Sequence, residues 1–419
     1  MANKQQKTKL SIRQLQPGIF IEIPGKWSSH PFIFNRFKLS STQQISILRK
    51  CGFEYIYADL SKSTESPLPY QESESVAPLE DEAINQEIAK LEQKKRQQIE
   101  AMQQYRRSLK KCQDNYQSAL SQVRSLCLKL HARPIEAIAQ AQDVIESLND
   151  VLSQQEDLVL HLVSDQRDNS DLHHHSLSVC VLAMLVGRYI GLNGTALVEL
   201  GLAGLLHDIG KLKIPAHVYQ GNTLPERQRQ HIIRQHPQYS LEVLKLCPDI
   251  NDNVKTAIAQ HHEFADGSGY PARLTKAELD ANSLIISLVN FYEGLRFPYN
   301  DEKAKPPAQA LSHLFKFHKP QFDALHLGAL IKTLGVYPPG TFVSLSNGQV
   351  GIVMSVTASK ILTPQVMLFD PDVQRTEAPV IDTATEELTI EKAIAIEKVP
   401  EEIKAYLSPM EKSGIFIGS

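Results

Sequence analysis

Two motifs in the second half of the 419-residue chain carry the residue types of a metal site. The first, GLAGLLHDIGKLKIP, places His207 and Asp208 at the end of an apolar helix, with Lys211 on the same predicted face. Such a buried cluster needs its charges satisfied, either within the core or by a bound cation. The second, HHEFADGSGYP, places His261 and His262 ahead of an acidic, glycine-rich loop. Taken alone, the motifs also fit a satisfied core pair and a surface turn.

The distribution of histidine favours a metal centre over these structural interpretations. Nine of the 15 histidines fall between residues 173 and 262. His175 begins a further apolar helix, and of the run 173–175 only one side chain can easily point inward, which leaves the others at the surface. His236 lies between the two motifs. Mixed histidine and carboxylate ligation suits iron, manganese, zinc or nickel. Several histidines with a bridging aspartate indicate two adjacent ions, an arrangement that hydrolyses phosphate esters.

Composition narrows the class of protein. The length predicts two or three domains, and 42% hydrophobic with 22% charged residues is typical of a soluble globular chain. A formal net charge of −3 argues against general DNA binding. We expect no membrane span and no secretory signal, since no apolar run reaches about 18 residues. Five scattered cysteines argue against a disulfide framework and a thiolate zinc site, and they predict a cytoplasmic location.

The N-terminal part of the chain predicts a small domain followed by a linker. Residues 8–62 predict an α+β domain, with strands in FIEIPG and EYIYADL and a capped helix, STQQISILRKCG, closed by Gly52. Residues 63–79 are rich in Ser, Pro and Glu and predict a linker.

Residues 80–131 predict one long helix with an a/d pattern over four heptads. One interpretation is a homodimeric coiled coil, and the other is packing against the next domain of the same chain. The basic residues along this predicted helix indicate a solvated face. The heptad positions are Met102, Tyr105, Leu109, Cys112, Tyr116, Ala119, Val123, Leu126 and Leu130.

The rest of the chain divides at about residue 335. Residues 135–335 show helical periodicity throughout and hold most of the histidines. Within residues 336–400, TFVSLSNGQVGIVMSV alternates apolar and polar positions around a Ser-Asn-Gly turn, which predicts a hairpin in a small β appendage. The predicted fold is therefore multidomain and mainly α: a helical bundle with a small N-terminal α+β domain, a long helix and a C-terminal β hairpin.

With these residues in view, the chain resembles a known family. HDIGK followed by HH and GYP is similar to the HD-GYP subgroup of the HD-domain metal-dependent phosphohydrolases, over about 200 residues. HSLSVCVLAMLVGRYIGL matches the first-ligand helix of that family and selects His175, and HPQYSLEVL matches its middle-ligand helix and selects His236. LQPGIFIEIPGKWSSHPF resembles the small domain of unknown function that often precedes HD-GYP domains in bacteria, and the closing hairpin is similar to their tail.

The resemblance implies a helical bundle that hydrolyses cyclic di-GMP to pGpG or GMP in bacterial signalling. It implies two divalent transition-metal ions, iron or manganese with zinc or nickel as alternatives, and diguanylate cyclases or other signalling proteins as partners. Asp208 would bridge the ions, Lys211 would meet a substrate phosphate, and both would be catalytic. The substrate-side loop would be Gly269, Tyr270 and Pro271. The implied ligands are His175, His207, Asp208, His236, His261 and His262.

The chain departs from the family pattern at three places. Asn290, in SLVNFYEGL, stands where the family has a metal-binding aspartate, so one site loses a negative charge. The family's RPY reads RFPY, which leaves Arg296 as a phosphate contact in an altered setting. The family's GLxG after the GYP loop is absent, since ARLT follows Pro271. Asp171 is a candidate for a third metal or a plain surface residue. Two interpretations follow: a phosphodiesterase with an altered metal site, or a degenerate member that senses cyclic di-GMP or binds a partner protein. Action on another nucleotide is disfavoured by the intact GYP loop.

Overall fold

The structure is a computed structural model that describes most of the chain. It covers residues 7–70, 81–130, 132–164, 172–215, 217–218, 224–247, 249–298, 304–356, 359–384 and 388–407. The predicted linker is therefore described only as far as residue 70, and Asp171 lies outside the described residues. The fold is mainly helical with two small antiparallel sheets, which confirms the predicted class.

The N-terminal domain is a four-stranded antiparallel sheet with one helix. Helix α1 begins after Ser41, whose hydroxyl accepts a hydrogen bond from the backbone N–H of Gln44, and it ends ahead of Gly52 at φ +83°. The strands lie in the order β1-β4-β2-β3, and fully buried Ile21, Leu48 and Ile56 form part of the core between sheet and helix. The elements are β1 (Thr8–Ser11), β2 (Phe20–Glu22), β3 (Arg36–Lys38), α1 (Thr42–Lys50) and β4 (Tyr55–Ala58).

Helix α2 (Asp81–Lys129) is a spine that contributes to three hydrophobic cores in turn. Ile84 packs into the N-terminal domain, Met102 into the C-terminal sheet, and the positions from Leu109 to Leu130 into the helical bundle. Every heptad position is buried within its own chain except Tyr105, which is half-buried against two of the cores. The heptad pattern therefore corresponds to intrachain packing, the second of the two interpretations above.

The bundle surrounds helix α4, which is buried on all sides from His174 to Gly187. Helix α5 lies close against it, since a Cβ placed on Gly204 would come within 2.9 Å of the Cα of Cys180. No helix in the described part of the chain is both long and apolar enough to cross a membrane. The helices are α3 (Pro134–Ser164), α4 (Leu172–Tyr189), α5 (Gly194–Leu206), α6 (Glu226–Ile233), α7 (His236–Leu244), α8 (Asp252–Gln260), α9 (Ala281–Arg296), α10 (Pro307–Phe317) and α11 (Ala324–Leu334).

The C-terminal appendage is larger than the predicted hairpin. The hairpin is present as β5 and β6, with Phe342 opposite Ile352, but it forms part of an antiparallel sheet ordered β8-β7-β6-β5-β9. One face of this sheet packs on Met102 of α2, and Phe34 of the N-terminal domain packs against a second apolar cluster of the same sheet. The elements are β5 (Phe342–Leu345), β6 (Val350–Ser355), β7 (Gln365–Leu368), β8 (Val380–Asp382), β9 (Ile390–Ile394) and α12 (Glu401–Leu407).

Candidate metal centre

The ends of several helices bring the predicted ligands to one point in the bundle. His207 directly follows α5, His236 is the first residue of α7, and His261 directly follows α8. His175 projects from the first turns of α4, and Asn290 lies on α9. Because most of these helices end or begin at the site, residues distant in sequence meet around Asp208, which is fully buried.

Asp208 is shared between two groups of donors. Its Oδ2 lies 3.3 Å from His207 Nε2 and 3.5 Å from His175 Nε2. Its Oδ1 lies 3.1 Å from His236 Nε2 and 3.7 Å from His261 Nε2. His262 completes the second group, and within each group all donor atoms lie within 4.8 Å of one another. The carboxylate thus faces one set of imidazoles with each oxygen.

The hydrogen bonds of three histidines fix where their protons lie. The Nδ1 atoms of His207, His236 and His261 each lie within hydrogen-bond distance of the backbone carbonyl three residues earlier, at 2.8, 2.7 and 2.6 Å respectively. A carbonyl oxygen only accepts, so Nδ1 must carry the proton and donate it. In a neutral imidazole the lone pair then lies on Nε2, the atom directed at Asp208.

The Nε2 lone pairs face the Asp208 carboxylate with no positive charge between them. A bound cation would supply that charge. His236 Nε2 and His261 Nε2 stand only 3.0 Å apart, although each is unprotonated when neutral. Buried His207 Nε2 has no hydrogen-bond partner in the described chain. Burial lowers the pKa of His175 to about 3 and that of His261 well below its ordinary value, so protonation is disfavoured. The donor set therefore fits two divalent cations that share Asp208.

Two neighbours set the charge of this centre. Asn290 Oδ1 lies 2.9 Å from His175 Nε2, so a neutral amide borders the group formed by His175 and His207. Lys211 Nζ lies 2.5 Å from Asp208 Oδ2, because a 3-10 helix (Ile209–Lys213) places the two residues on one side. Burial raises the pKa of Asp208, but His207 and Lys211 outweigh it and hold that pKa well below the ordinary value.

Gly210 and Ser240 hold together the turns that carry His207 and His236, and the sequence motifs alone identify neither role. The Ser240 hydroxyl donates to the carbonyl of His207 at 3.0 Å and accepts from the N–H of Gly210 at 2.8 Å. A Cβ on Gly210 would lie 2.1 Å from the carbonyl oxygen of His236. Only glycine permits this approach, which fixes the spacing between the first and second donor groups.

Comparison with known proteins agrees with this geometry. A family model described as "HD domain" matches residues 143–325, and one described as "Domain of unknown function (DUF3391)" matches residues 7–141. The chain thus carries an HD domain behind this domain of unknown function. Its enzyme class is that of a metal-dependent phosphodiesterase, a hydrolase.

Relatives of this chain include the cyclic di-GMP phosphodiesterase PA4108 of Pseudomonas aeruginosa, 26% identical over 86% of this chain and 84% of that protein. The cyclic di-GMP phosphodiesterase PdeB of Borreliella burgdorferi is 24% identical over 46% of this chain and 50% of its own length. The 3'3'-cGAMP-specific phosphodiesterase 1 of Vibrio cholerae is 33% identical over 29% of this chain and 28% of its own. The similarity to PA4108 thus extends over most of both chains, whereas the other two relatives match only part of this chain.

The GYP loop is held against the second donor group. Gly269 is buried, and a Cβ there would lie 2.5 Å from backbone atoms of Glu263 and Phe264, so the loop cannot take a larger residue. The ring of Tyr270 stacks on His262 at a centroid distance of 4.6 Å, and the guanidinium of Arg234 lies 4.9 Å from the same ring. The loop therefore positions one histidine of the second donor group.

Glu263 is a positioning residue that the sequence did not reveal. Its buried carboxylate accepts hydrogen bonds from the backbone N–H groups of Ala272, Arg273 and Leu274, at 2.5, 3.1 and 3.1 Å. These bonds tie the segment after Pro271 back to the helix end that carries the histidine pair. The signal available in the sequence was an acidic residue directly after His262, and its role depends on the turn of the loop.

A cavity of about 480 Å³ opens onto the centre. Lys211, Arg229 and Lys305 give it positive charge, and Arg229 also pairs with Glu226 at 2.7 Å. Its lining also includes aromatic rings, namely Phe264, Tyr270, Phe291, His313 and His318. The described lining contains no carboxylate, so the cavity is suited to an anionic ligand with planar rings.

Three predicted residues lie elsewhere than expected. Arg296 is not part of the cavity lining; it is buried and pairs with Glu293 at 3.3 Å, which gives it a structural ion pair in place of a phosphate contact. Pro271 is exposed and lies beside the cavity rather than in its wall. His174, expected at the surface, is buried and its ring lies 6.3 Å from that of Tyr116, because α2 covers that side of α4.

Proposed function

We propose that the chain hydrolyses cyclic di-GMP at a two-metal centre. The observation that carries this proposal is the sharing of Asp208 between two histidine groups at the base of a positively charged cavity. The similarity to PA4108 over most of both chains supports the substrate. The ligands we propose are His175, His207, Asp208, His236, His261 and His262, with Asn290 beside the first ion.

The residues of the cavity have separate tasks in this reaction. When bound, two divalent ions would polarise a phosphate and acidify a water. Lys211, held against Asp208, offsets charge on the phosphate under attack, as preorganised cations do in such sites. Lys305 and Arg229 lie in the same cavity and are placed to meet the second phosphate of a cyclic dinucleotide. Hydrolysis of one phosphodiester bond gives linear pGpG, and hydrolysis of the second gives GMP.

Two features set the expected metal and rate. Imidazole-rich ligation with one bridging carboxylate favours iron or manganese, with zinc or nickel as alternatives. Asn290 brings no negative charge to the group formed by His175 and His207, so we expect that ion to be held more loosely and turnover to be slow. The same observation favours the second function, in which the chain binds cyclic di-GMP as a sensor without turnover. Since the substrate is a bacterial second messenger, we propose a cytoplasmic location.

The test is anaerobic purification, metal analysis and a turnover assay on one sample. The wild-type chain should take up about two transition-metal ions and hydrolyse cyclic di-GMP in preference to 3'3'-cGAMP. His207→Ala with Asp208→Ala should abolish both metal uptake and turnover. His231→Ala with Asp252→Ala removes the same residue types from exposed positions and should change neither. A wild-type chain that stays metal-free under anaerobic loading would refute the proposal, whereas loaded protein that binds cyclic di-GMP without turnover would establish the sensor.

A further inference from the structure

A second large cavity, of about 920 Å³, lies between the N-terminal domain and the C-terminal sheet. Edge strand β3 and its flanking loop form one wall, and the β5–β6 turn with β9 forms the opposite wall. Leu91 and Lys94 of α2 also line it. This cleft shares no lining residue with the cavity at the metal centre, so it is a separate site.

The walls of the cleft carry phenylalanine rings that the fold leaves partly uncovered. Phe20, Phe34 and Phe37 are half-buried, and the ring of Phe37 lies 5.0 Å from that of buried Phe32. Phe34 reaches from the N-terminal domain to the apolar cluster of the C-terminal sheet, so both domains meet at the cleft. Partly covered rings in a concave wall provide stacking area for a planar aromatic group.

Positive charge surrounds these rings. Four cationic residues line the cleft against a single carboxylate, Glu391. Arg36 is already paired, with Glu22 at 3.1 Å and Asp372 at 3.3 Å. Lys38 and Lys62 are exposed, and neither forms an ion pair with a carboxylate in the described chain. Lys62 Nζ lies 5.2 Å from the ring centre of Phe20, which places a cation directly beside an aromatic wall.

We propose that this cleft binds a purine nucleotide. The phenylalanine walls suit the base, Lys38 and Lys62 suit the phosphates, and Glu391 can accept a hydrogen bond from a ribose hydroxyl or an amino group. The volume falls in the range of roughly 300–1,000 Å³ that small-molecule sites occupy. A nucleotide here contacts the N-terminal domain, α2 and the C-terminal sheet together, so it would stabilise their mutual arrangement.

The test measures nucleotide binding to the full chain by equilibrium dialysis in EDTA, which removes metal-dependent binding at the other site. GMP and ATP should bind, whereas guanosine and inorganic phosphate alone should bind at least about tenfold more weakly, since each offers half of the contacts. Lys38→Gln with Lys62→Gln should weaken GMP binding by roughly ten- to a hundredfold, because two charge-assisted contacts are lost. Lys26→Gln with Lys398→Gln removes the same charge from exposed positions outside the cleft and should leave binding unchanged.

The single tryptophan locates the binding. Trp27 donates its ring N–H to the carbonyl of Ile33 at 2.8 Å, and Ile33 lines the cleft. Tryptophan emission should therefore change on addition of GMP, with the same midpoint as in dialysis, and the change should disappear in the Lys38/Lys62 variant. GMP binding that is absent, unaffected by that variant, or matched by phosphate alone would overturn the proposal.

Discussion

At the scale of single residues, the charge at position 290 is the feature that distinguishes this centre. Asn290 Oδ1 approaches His175 Nε2 to 2.9 Å, so the residue stands where a further ligand to the first ion would be. An amide oxygen is neutral and binds a divalent ion more weakly than a carboxylate does. The candidate centre thus offers one carboxylate, that of Asp208, to the two ions that we propose.

Asn290→Asp should raise metal occupancy and turnover together, with little change in affinity for cyclic di-GMP. We expect wild-type turnover one to three decades below that of the variant, or roughly 1.4 kcal/mol of barrier per decade. Metal analysis and single-substrate kinetics on the same preparation measure both quantities. Asn282→Asp makes the same change in the first turn of α9, away from the centre, and should leave both unchanged. Equal occupancy in wild type and Asn290→Asp would show that position 290 is not a ligand.

Gly210 is the second residue whose identity the centre requires. Gly210→Ala would place a methyl group 2.1 Å from the carbonyl oxygen of His236, so the two ligand turns must separate. We expect about 1–3 kcal/mol of lost unfolding free energy and a lower metal content. Gly328→Ala is the control, because nothing lies within 4 Å of its Cβ and alanine in that helix should add up to about 1 kcal/mol. Denaturant unfolding measures the free energy of unfolding of both variants. A Gly210→Ala protein with wild-type stability and metal content would contradict the close packing of Gly210 against His236.

At the scale of elements, α2 shows how one sequence pattern serves several partners. Its heptad positions face two cores of the same chain, and Ile84, ahead of them, packs into a third. Buried Lys95 strengthens this third contact: its ammonium donates to the carbonyls of Trp27 and His30, at 2.5 and 2.9 Å, and lies 3.8 Å from the Trp27 ring centre. Burial lowers the pKa of Lys95 to about 8. The helix is thereby fixed to the N-terminal domain by polar as well as apolar contacts.

Val123→Lys should destabilise the folded chain rather than dissociate a dimer. Val123 is 1% exposed in the bundle core, so lysine would bring an unpaired charge into an apolar site at a cost of several kcal/mol. Thermal unfolding should shift to lower temperature while the mass in solution stays that of the wild type. Gln117→Lys, on the exposed face of the same helix, should change neither. A well-folded monomer from a dimeric wild type would instead indicate a seam between two chains.

At the scale of the whole molecule, α2 connects three hydrophobic cores, because its residues pack into each of them. The N-terminal domain contacts the C-terminal sheet through Phe34 and the Arg36–Asp372 pair, and both are attached to the bundle along one helix. Unfolding of the N-terminal domain should therefore coincide with global unfolding. Trp27 reports on the first process and far-ultraviolet circular dichroism reports on the second.

Gln97→Pro should separate these two transitions. A proline inside the exposed middle of α2 removes a helical hydrogen bond and costs about 3 kcal/mol or more. The Trp27 transition should move to lower denaturant concentration than the circular dichroism transition, because the domain loses its rigid attachment. Gln97→Ala keeps the helix and should leave the transitions coincident. Equal shifts of both probes after Gln97→Pro would show that the domain is held mainly by the C-terminal sheet.

Much of the candidate site follows from residue identity. The two motifs alone marked His207, Asp208, His261 and His262, whereas the family resemblance selected His175, His236 and Asn290. Gly52 and the Ser-Asn-Gly turn marked the ends of local elements, because turn conformation depends on few neighbours. The alternating pattern likewise gave the β5–β6 hairpin, though not the three strands that join it, since their pairing depends on long-range register.

The sequence alone determined that this chain has a helical bundle with a candidate metal centre, between a small α+β domain and a β appendage. The tertiary structure decided which faces meet. It gave the heptads of α2 intrachain partners, buried His174, turned Arg296 into an ion pair with Glu293, and directed Glu263 at the loop after Tyr270. It also formed the cationic aromatic cleft between two domains. Each of these depends on burial and on contacts between segments far apart in the chain, and periodicity shows only that a face is apolar, not what covers it.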